Sequence, residues 1–565
     1  MNNIKYKIES RKTVFLGLLL IFLSNISVFS NKYQHLIIYG QSLSTGHQSW
    51  PSLSTSTVEG NYMLGKQIWV NFGNTNQNTL TPLVANIAAT TASLPKTRAS
   101  MIYGECALVS AANHIQLKTN GQYKYIASSC GVGGKSIEDC SKESTASTLY
   151  SYYTNTINYA KTIATNNNYV MKCPAIFWMQ GEYNYQEKSS GLTVNSKPTF
   201  VKEEYKTLLI TLKNNMQSDV MAKYGQTEKP VFITYQAGVQ YTTGRYLTIG
   251  MAQLEAANEN EDVVCAGPVY QMTDRGGHLD SNGYRWYGEM LGKVYYKTQI
   301  LKENFSPLQP TEISRTNDPK KIQIKFLVPK PPLVLDIFTL SKVKDFGFEI
   351  YKDSVKQIIT HTDIVGDYVY LTCYENLDLN STIDVIYAGE TVKGHGNLRD
   401  SDDYQAFYKY VDLDKRNADQ SYFYPRDASE TTLRPADEPK DQDRNVIYDQ
   451  LYPLYNFSVA FFYRIEKNTE QYTVPNFQHA TSHIDLFNKN DEISFYQQGL
   501  NLILNASYNN HVKVEIFNLS GTLVRLFSDA DSLSKVYSLE SFEKGIYLAK
   551  ATINNQTKTI KVYIS

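Results

Sequence analysis

The sequence predicts an α/β fold in which a parallel sheet is covered by helices on both faces, followed by β-sandwich domains. Two observations carry this. From about residue 33 to residue 303, short apolar runs alternate with helical patterns. That alternation builds a parallel sheet with crossover helices on either side. After about residue 304 the long helical periods stop and short alternating runs replace them, which is the pattern of antiparallel sandwiches.

The strand candidates are residues 35–39, 123–128, 175–179, 231–235 and 263–266. The helical patterns cover 100–117, 145–165, 200–223, 247–260 and 282–300. In sheets of this kind ligands bind outside the carboxyl ends of the strands, so the loops that follow the strand candidates are where function is sought. The segment "NFSPLQPTEISRTNDPKK" is polar and proline-bearing and reads as a linker. Beyond it, "IQIKFLV", "FGFEIY", "YVYLTCY" and "TIDVIYA" read as strands of a sandwich over 304–403, closed by "GHGNLRDSDD". Residues 404–490 mix charged, proline-containing stretches with the apolar "YPLYNFSVAFFYRI". They are expected to be an irregular linking segment packed on its neighbours. Residues 491–565 are β-like again, with hairpins expected around Ser520-Gly521 and Asn554-Asn555.

Charge and composition narrow the function. Lys+Arg and Asp+Glu both number 55, and this balance argues against nucleic acid as a partner. Tyrosine is frequent, at 44 residues, which suits either sugar-facing surfaces or a tyrosine-rich core. Lys5, Lys7, Arg11 and Lys12 precede an apolar run over 14–23 that ends near Val28-Phe29-Ser30. That order of charge and apolarity reads as a cleaved export signal over 1–30 and places the protein outside the cytoplasm, secreted or at the cell surface. The chain has six cysteines. Cys130 and Cys140 flank a glycine-rich loop and are the best candidate disulfide pair, with buried free thiols as the alternative. No spacing suggests a metal site, and no cofactor is expected.

The candidate chemistry begins at "HLIIYGQSLSTGHQSW", where an apolar strand stops at Gly40-Gln41-Ser42. A serine hydroxyl is a weak nucleophile until a base takes its proton. His278, in "TDRGGHLDSNGYRWYGEML", follows the last strand candidate and precedes a helix. Two further loops follow strands in the same way. "SSCGVGGKS" can aim backbone N–H groups at an anion, and "FWMQGEYNY" offers Gln180 as a donor and Glu182 as an acid.

Taken together, these four blocks make residues 33–303 resemble the SGNH/GDSL hydrolases, in particular the sialate O-acetylesterase-like carbohydrate esterases. The match rests on Gly40-Gln41-Ser42, on Gly133 or Gly134, on Trp178, Gln180, Gly181 and Glu182, and on "HLDSNGY" from His278. Leu43 stands where the family often has Asn, and Asp274 lies four residues before His278 where the family acid usually lies three before. The resemblance implies a flavodoxin-like three-layer α/β/α domain over 31–303 and acyl transfer without metal or cofactor. Ser42 would be the nucleophile and His278 the base, with Asp274 or Glu182 as the orienting acid. The oxyanion hole would come from the backbone of Ser42 and of Gly133 or Gly134, and from the Gln180 amide. The implied substrate is an acetyl ester of a carbohydrate. A glycan-binding or adhesion protein with a degenerate hydrolase domain, and a lipase or thioesterase on the same fold, remain the alternatives. In the tail, Val514-Glu515-Ile516-Phe517-Asn518, Gly521, Gly545-Ile546-Tyr547 and Lys561-Val562 resemble the C-terminal sorting domain of type IX secretion. This implies the secretion machinery as a partner of residues 491–565.

Overall fold

The structure, a computed structural model, describes residues 32–475 apart from 72, 87–102, 122, 146, 186–197, 240–241, 275–276 and 412–448. It also describes 493–564 apart from 499–500, 507–511, 519–520, 530–533 and 554–555. The expected export segment over 1–30 lies outside the described residues, as does the start of the helix expected from residue 100. No helix among the described residues is long and apolar enough to cross a membrane. The chain divides into two compact units, 1–482 and 483–565.

The first unit is built on one sheet of β1 (Lys32–Gly40), β2 (Asn61–Leu64), β3 (Leu80–Pro82), β4 (Lys124–Ser129), β5 (Val170–Met179), β6 (Val231–Gln236) and β7 (Val263–Pro268). Their order is β3-β2-β4-β1-β5-β6-β7. Every neighbouring pair is parallel except β2 and β3. The helices are α1 (Ser42–Thr45), α2 (Ala107–Lys118), α3 (Ile137–Cys140), α4 (Tyr150–Asn167), α5 (Glu182–Tyr185), α6 (Lys202–Tyr224), α7 (Thr248–Glu259) and α8 (Ser281–Tyr295).

The side chains of β1 show why helices cover both faces. Successive residues of a strand point to opposite sides. His35 and Tyr39 share one side and meet Tyr224 of α6 and Tyr153 of α4. Leu36 shares the other side with Tyr125 of β4, which meets Tyr295 of α8. A strand buried on both faces needs the near-continuous apolar run seen in the sequence. The one polar exception, His35, is satisfied by Tyr224 Oη at 2.6 Å and Ser128 Oγ at 2.9 Å. Burial lowers its pKa to about 3, so the ring stays neutral.

Ten of the twelve largest fully buried side chains are tyrosines, so much of the tyrosine excess lies in the core. The disulfide expected between Cys130 and Cys140 does not form, and all six cysteines are buried free thiols. Cys130 Sγ turns to the carbonyl of Ile38 on β1 at 3.5 Å. Burial pushes the Cys140 thiol up to about 12. Both side chains act as small apolar core groups.

After residue 304 two antiparallel sheets face each other. One holds Gln309–Arg315, Lys321–Leu327, Ile359–Val365, Tyr368–Cys373 and Gln471–Thr473. The other holds Phe348–Lys352, Val355–Lys356, Ile383–Tyr387 and Phe461–Ile465. Phe326 and Phe461 meet across the gap, their centroids 6.1 Å apart. The segment expected to be irregular over 404–490 therefore supplies one strand to each sheet. Residues 404–410 and 451–456, together with Asp402 just before them, lie across α8. Glu289 accepts from the backbone N–H groups of Phe407 and Tyr408, Trp286 donates to Pro453 O, and Lys293 pairs with Asp402 at 2.8 Å. This covering leaves every residue of α8 buried.

The second unit is antiparallel. Val512–Asn518 pairs with Leu523–Asp529 and with Gly545–Ile553, which pairs in turn with Gln556–Ile564. The strands flank the two expected turns. Leu502, Val514, Ile516, Ala549, Ala551 and Val562 form its buried core.

Candidate active site

The loops that leave β1, β4 and β5 are tied together at the carboxyl edge of the sheet. Gln41 N–H donates to Met179 O at 2.9 Å and Val132 N–H to Gly40 O at 3.0 Å. The glycine that ends β1 is demanded by this closeness. Gly40 has φ +142, and a Cβ there would lie 2.2 Å from Met179 O. A Cβ on Gly131 would lie 1.9 Å from Ser44 Oγ. A strand ending in any larger residue would hold these loops apart.

Ser42 is the first residue of α1 and is 5% exposed. Its Oγ lies 2.7 Å from His278 Nε2, although the two are 236 residues apart. The hydroxyl is thus placed to donate to the imidazole. The loop carrying His278 is pinned on both sides. Asp280 caps α8, accepting from Gly283 N–H at 2.7 Å and from Thr273 Oγ1 at 2.6 Å. The backbones of Asp274 and Leu279 pair across the loop.

The two acids weighed for the orienting role sit differently. Asp274 is half-buried in the same loop as His278, and its Oδ1 accepts from Gly277 N–H at 2.9 Å. Glu182 opens α5 and is buried, with Tyr235 of β6 donating to its carboxylate. Burial raises its pKa to about 7, against the opposing hydrogen bonds from Tyr235 and the Gly238 backbone.

That shift has a consequence for stability. An acid with a higher pKa in the folded state holds its proton better when folded. Stability is then full below the ordinary value of 4.5 and falls as pH rises through about 7. The loss is on the order of 3 kcal/mol, at 1.36 kcal/mol per unit. The wild-type melting temperature is expected to fall between pH 5 and pH 8, and Glu182→Gln, which never ionises, is expected to flatten that slope. Thermal melts across the range check this, and an equal slope in both proteins would contradict it.

Gln180 departs from expectation. Its amide nitrogen donates to Lys135 O at 3.2 Å and to Asn184 Oδ1 at 2.7 Å, and its oxygen accepts from Tyr205 of α6 at 2.9 Å. Both N–H bonds are spent on holding the β4 and β5 loops together. Gln41 performs a similar task, its oxygen accepting from the N–H groups of Gly181 and Tyr183. Of the two glycines weighed, Gly133 faces the site, since a Cβ there would lie 3.8 Å from both Ser42 Cβ and Tyr103 Oη. Gly134 is exposed, with nothing within 4 Å of such a Cβ. Trp178 is fully buried against Tyr39 and Phe232.

Sequence reasoning missed the rings beside this pair. His47 packs edge-on against His278 at 4.6 Å, Tyr103 lies 5.5 Å from His47, and Trp69 lies 4.0 Å from Tyr103. His47 and Trp69 come from loops, and Tyr103 falls in the helical pattern expected over 100–117 but lies ahead of the helix, so no sequence signal marks the three as a group.

A serine hydroxyl beside an imidazole at the carboxyl edge of a parallel sheet is an arrangement that serine hydrolases use on several folds. The comparisons give the family. Residues 36–297 match the carbohydrate esterase family of sialic acid-specific acetylesterases. Residues 499–565 match the secretion system C-terminal sorting domain. The chain is accordingly a carboxylic ester hydrolase of the carbohydrate acetylesterase class, carrying an export address in its tail. No curated protein matches it.

Among solved structures, a carbohydrate acetylesterase from Xanthomonas citri is 15% identical, with 65% of this chain and 77% of that one covered and a TM-score of 0.41. A protein from Arabidopsis thaliana is also 15% identical, with 47% and 97% covered and a TM-score of 0.34. The protein NanS is 11% identical, with 48% and 98% covered and a TM-score of 0.33.

Proposed function

We propose that the protein is a secreted serine esterase that removes acetyl groups from carbohydrate, whether an acetylated glycan, a hemicellulose or a sialic acid. The observation that carries this is the 2.7 Å contact between Ser42 Oγ and His278 Nε2 at the end of β1. Ser42 Oγ attacks the acetyl carbonyl and its proton passes to His278. The backbone N–H groups of Ser42 and Gly133 hold the oxyanion, a single such donor being worth about 3 kcal/mol of barrier. His278 then protonates the leaving sugar oxygen. Water, deprotonated by His278, attacks the acetyl-enzyme and releases acetate.

Asp274 is the orienting acid in this reading. Glu182 is committed to Tyr235, and a carboxyl group with a pKa of about 7 carries only part of a charge at neutral pH. The close Ser42–His278 pairing also weighs against a decayed, purely glycan-binding domain. Residues 1–30 serve as the cleaved export signal, and the tail addresses the protein to the type IX secretion machinery and the cell surface.

Acetate release from acetylated xylan, acetylated mannan and O-acetylated sialic acid tests the proposal, with an aryl acetate as the small control. Failure to hydrolyse the aryl acetate would sink it, and a preference for long-chain esters would favour a lipase instead. A chain ending near Asp491 is expected to keep its turnover, since every site residue precedes residue 304, and to fail to reach the surface of its host. Normal surface display of that truncated chain, read by accessibility to external protease, would remove the sorting role.

A further inference from the structure

Trp69, Tyr103 and His47 form a continuous run of rings that ends against His278. Each is fastened to the framework of the site. Trp69 pairs through its backbone with Ser129 at the end of β4, and its indole N–H donates to Gly131 O at 3.1 Å. Tyr103 pairs through its backbone with His47, whose N–H donates to Ser42 O at 3.3 Å. The Tyr103 hydroxyl and Ser42 Cβ both flank Gly133, each 3.8 Å from where a Cβ on that glycine would stand. Unlike the core tyrosines, Trp69 and Tyr103 are only half-buried. The run therefore presents partly open aromatic surface beside the serine, on a support that the loops hold in place.

A pyranose ring has an apolar C–H face and a polar rim. An aromatic side chain with one apolar, open face suits the first, and hydroxyl and imidazole groups on the same run suit the second. We propose that Trp69 and Tyr103 form the platform that seats the O-acetylated pyranose ring and presents its ester to Ser42. This rests on the acetylesterase reading above. The shared ligand chemistry is an acetylated pyranose, which a neutral polysaccharide or a sialic acid could supply.

The chain offers a direct optical readout. Of its four tryptophans, Trp50, Trp178 and Trp286 are buried, so acrylamide quenching of the native protein reads Trp69. Full-length Ser42→Ala protein would be titrated with O-acetylated xylotriose, O-acetylated mannotriose and an O-acetylated sialic acid. At least one should lower the quenching constant twofold or more, and which one does so separates the neutral source from the acidic one. In otherwise wild-type protein, Trp69→Ala should raise KM for that sugar about tenfold with little change in kcat. It should also lower the preference for the sugar ester over an aryl acetate. Trp69→Phe, which keeps a ring, should recover most of the loss and guards against a folding defect in the alanine variant.

Protection by none of the sugars, or an unchanged KM in Trp69→Ala, overturns the platform. Hydrolysis of neither sugar nor aryl ester by the wild type would instead overturn the acetylesterase reading, and the platform would fall with it.

Discussion

Replacing Ser42 with alanine is expected to lower kcat for ester hydrolysis by about a million-fold, the scale set when the nucleophile of a serine hydrolase is removed. The fold should survive the change. The residue is small, and a single hydrogen bond of about 1 kcal/mol is at stake, so the melting temperature should move by only a few degrees. A serine-directed phosphonate should label the wild type at Ser42 and leave the variant unlabelled. Peptide mapping reads the label and a steady-state assay reads the rate. Substantial activity in the alanine variant would mean that another group attacks the ester.

The second large effect concerns the orienting acid. Asp274→Asn is expected to lower turnover by about ten-thousandfold, because an imidazole without its acid takes the wrong tautomer and its charged form goes unsupported. Glu182→Gln is expected to cost less than about tenfold, since the amide oxygen can still accept from Tyr235. Assayed side by side, with thermal melts to confirm folding, the pair is decisive. A collapse in Glu182→Gln with Asp274→Asn retaining a tenth of wild-type turnover would transfer the role to Glu182. The stability slope of Glu182 with pH is a separate measurement, so a structural and a catalytic role for that residue read out differently.

The contrast between what could and could not be read in advance has physical causes. The central strands were legible because β1, β4, β5, β6 and β7 are buried on both faces and so are apolar almost without interruption. The short strand Asn61–Leu64 and the edge strand Leu80–Pro82 were not, having only four and three residues. The run "YPLYNFSVAFFYRI" announced burial without saying against what. Phe461–Ile465 became a sandwich strand, while Tyr452 and Pro453 end a short strand paired with Gln405–Lys409 that covers a helix of another layer.

The pairing of Ser42 with His278 was legible because each follows a strand within a short motif. The fate of Gln180 was not, because it is decided by Tyr205, which reaches it from a helix later in the chain. The cysteine pair failed for a related reason. Flanking a common loop brings two residues near each other, but their side chains turned into the core instead.

The clasp around α8 bears on how this protein can be taken apart. His278 immediately precedes that helix, and the helix is gripped by residues from 404–410 and 451–456 as well as by its own layer. Of its buried charges, Lys293 pairs with Asp402 and bonds Asn456, while Glu289 meets His114 of α2 and also accepts from Phe407 and Tyr408. Cut after residue 303, the chain would lose the later partners and leave the covered face of α8 open to water. The histidine at the head of the helix would lose its footing. The stretch matched by the esterase family is therefore not a portable module. Shuffling it onto another scaffold, or expressing it alone, must carry the chain onward through the strands that end at Thr473, and evolution of the two parts is bound to proceed in step.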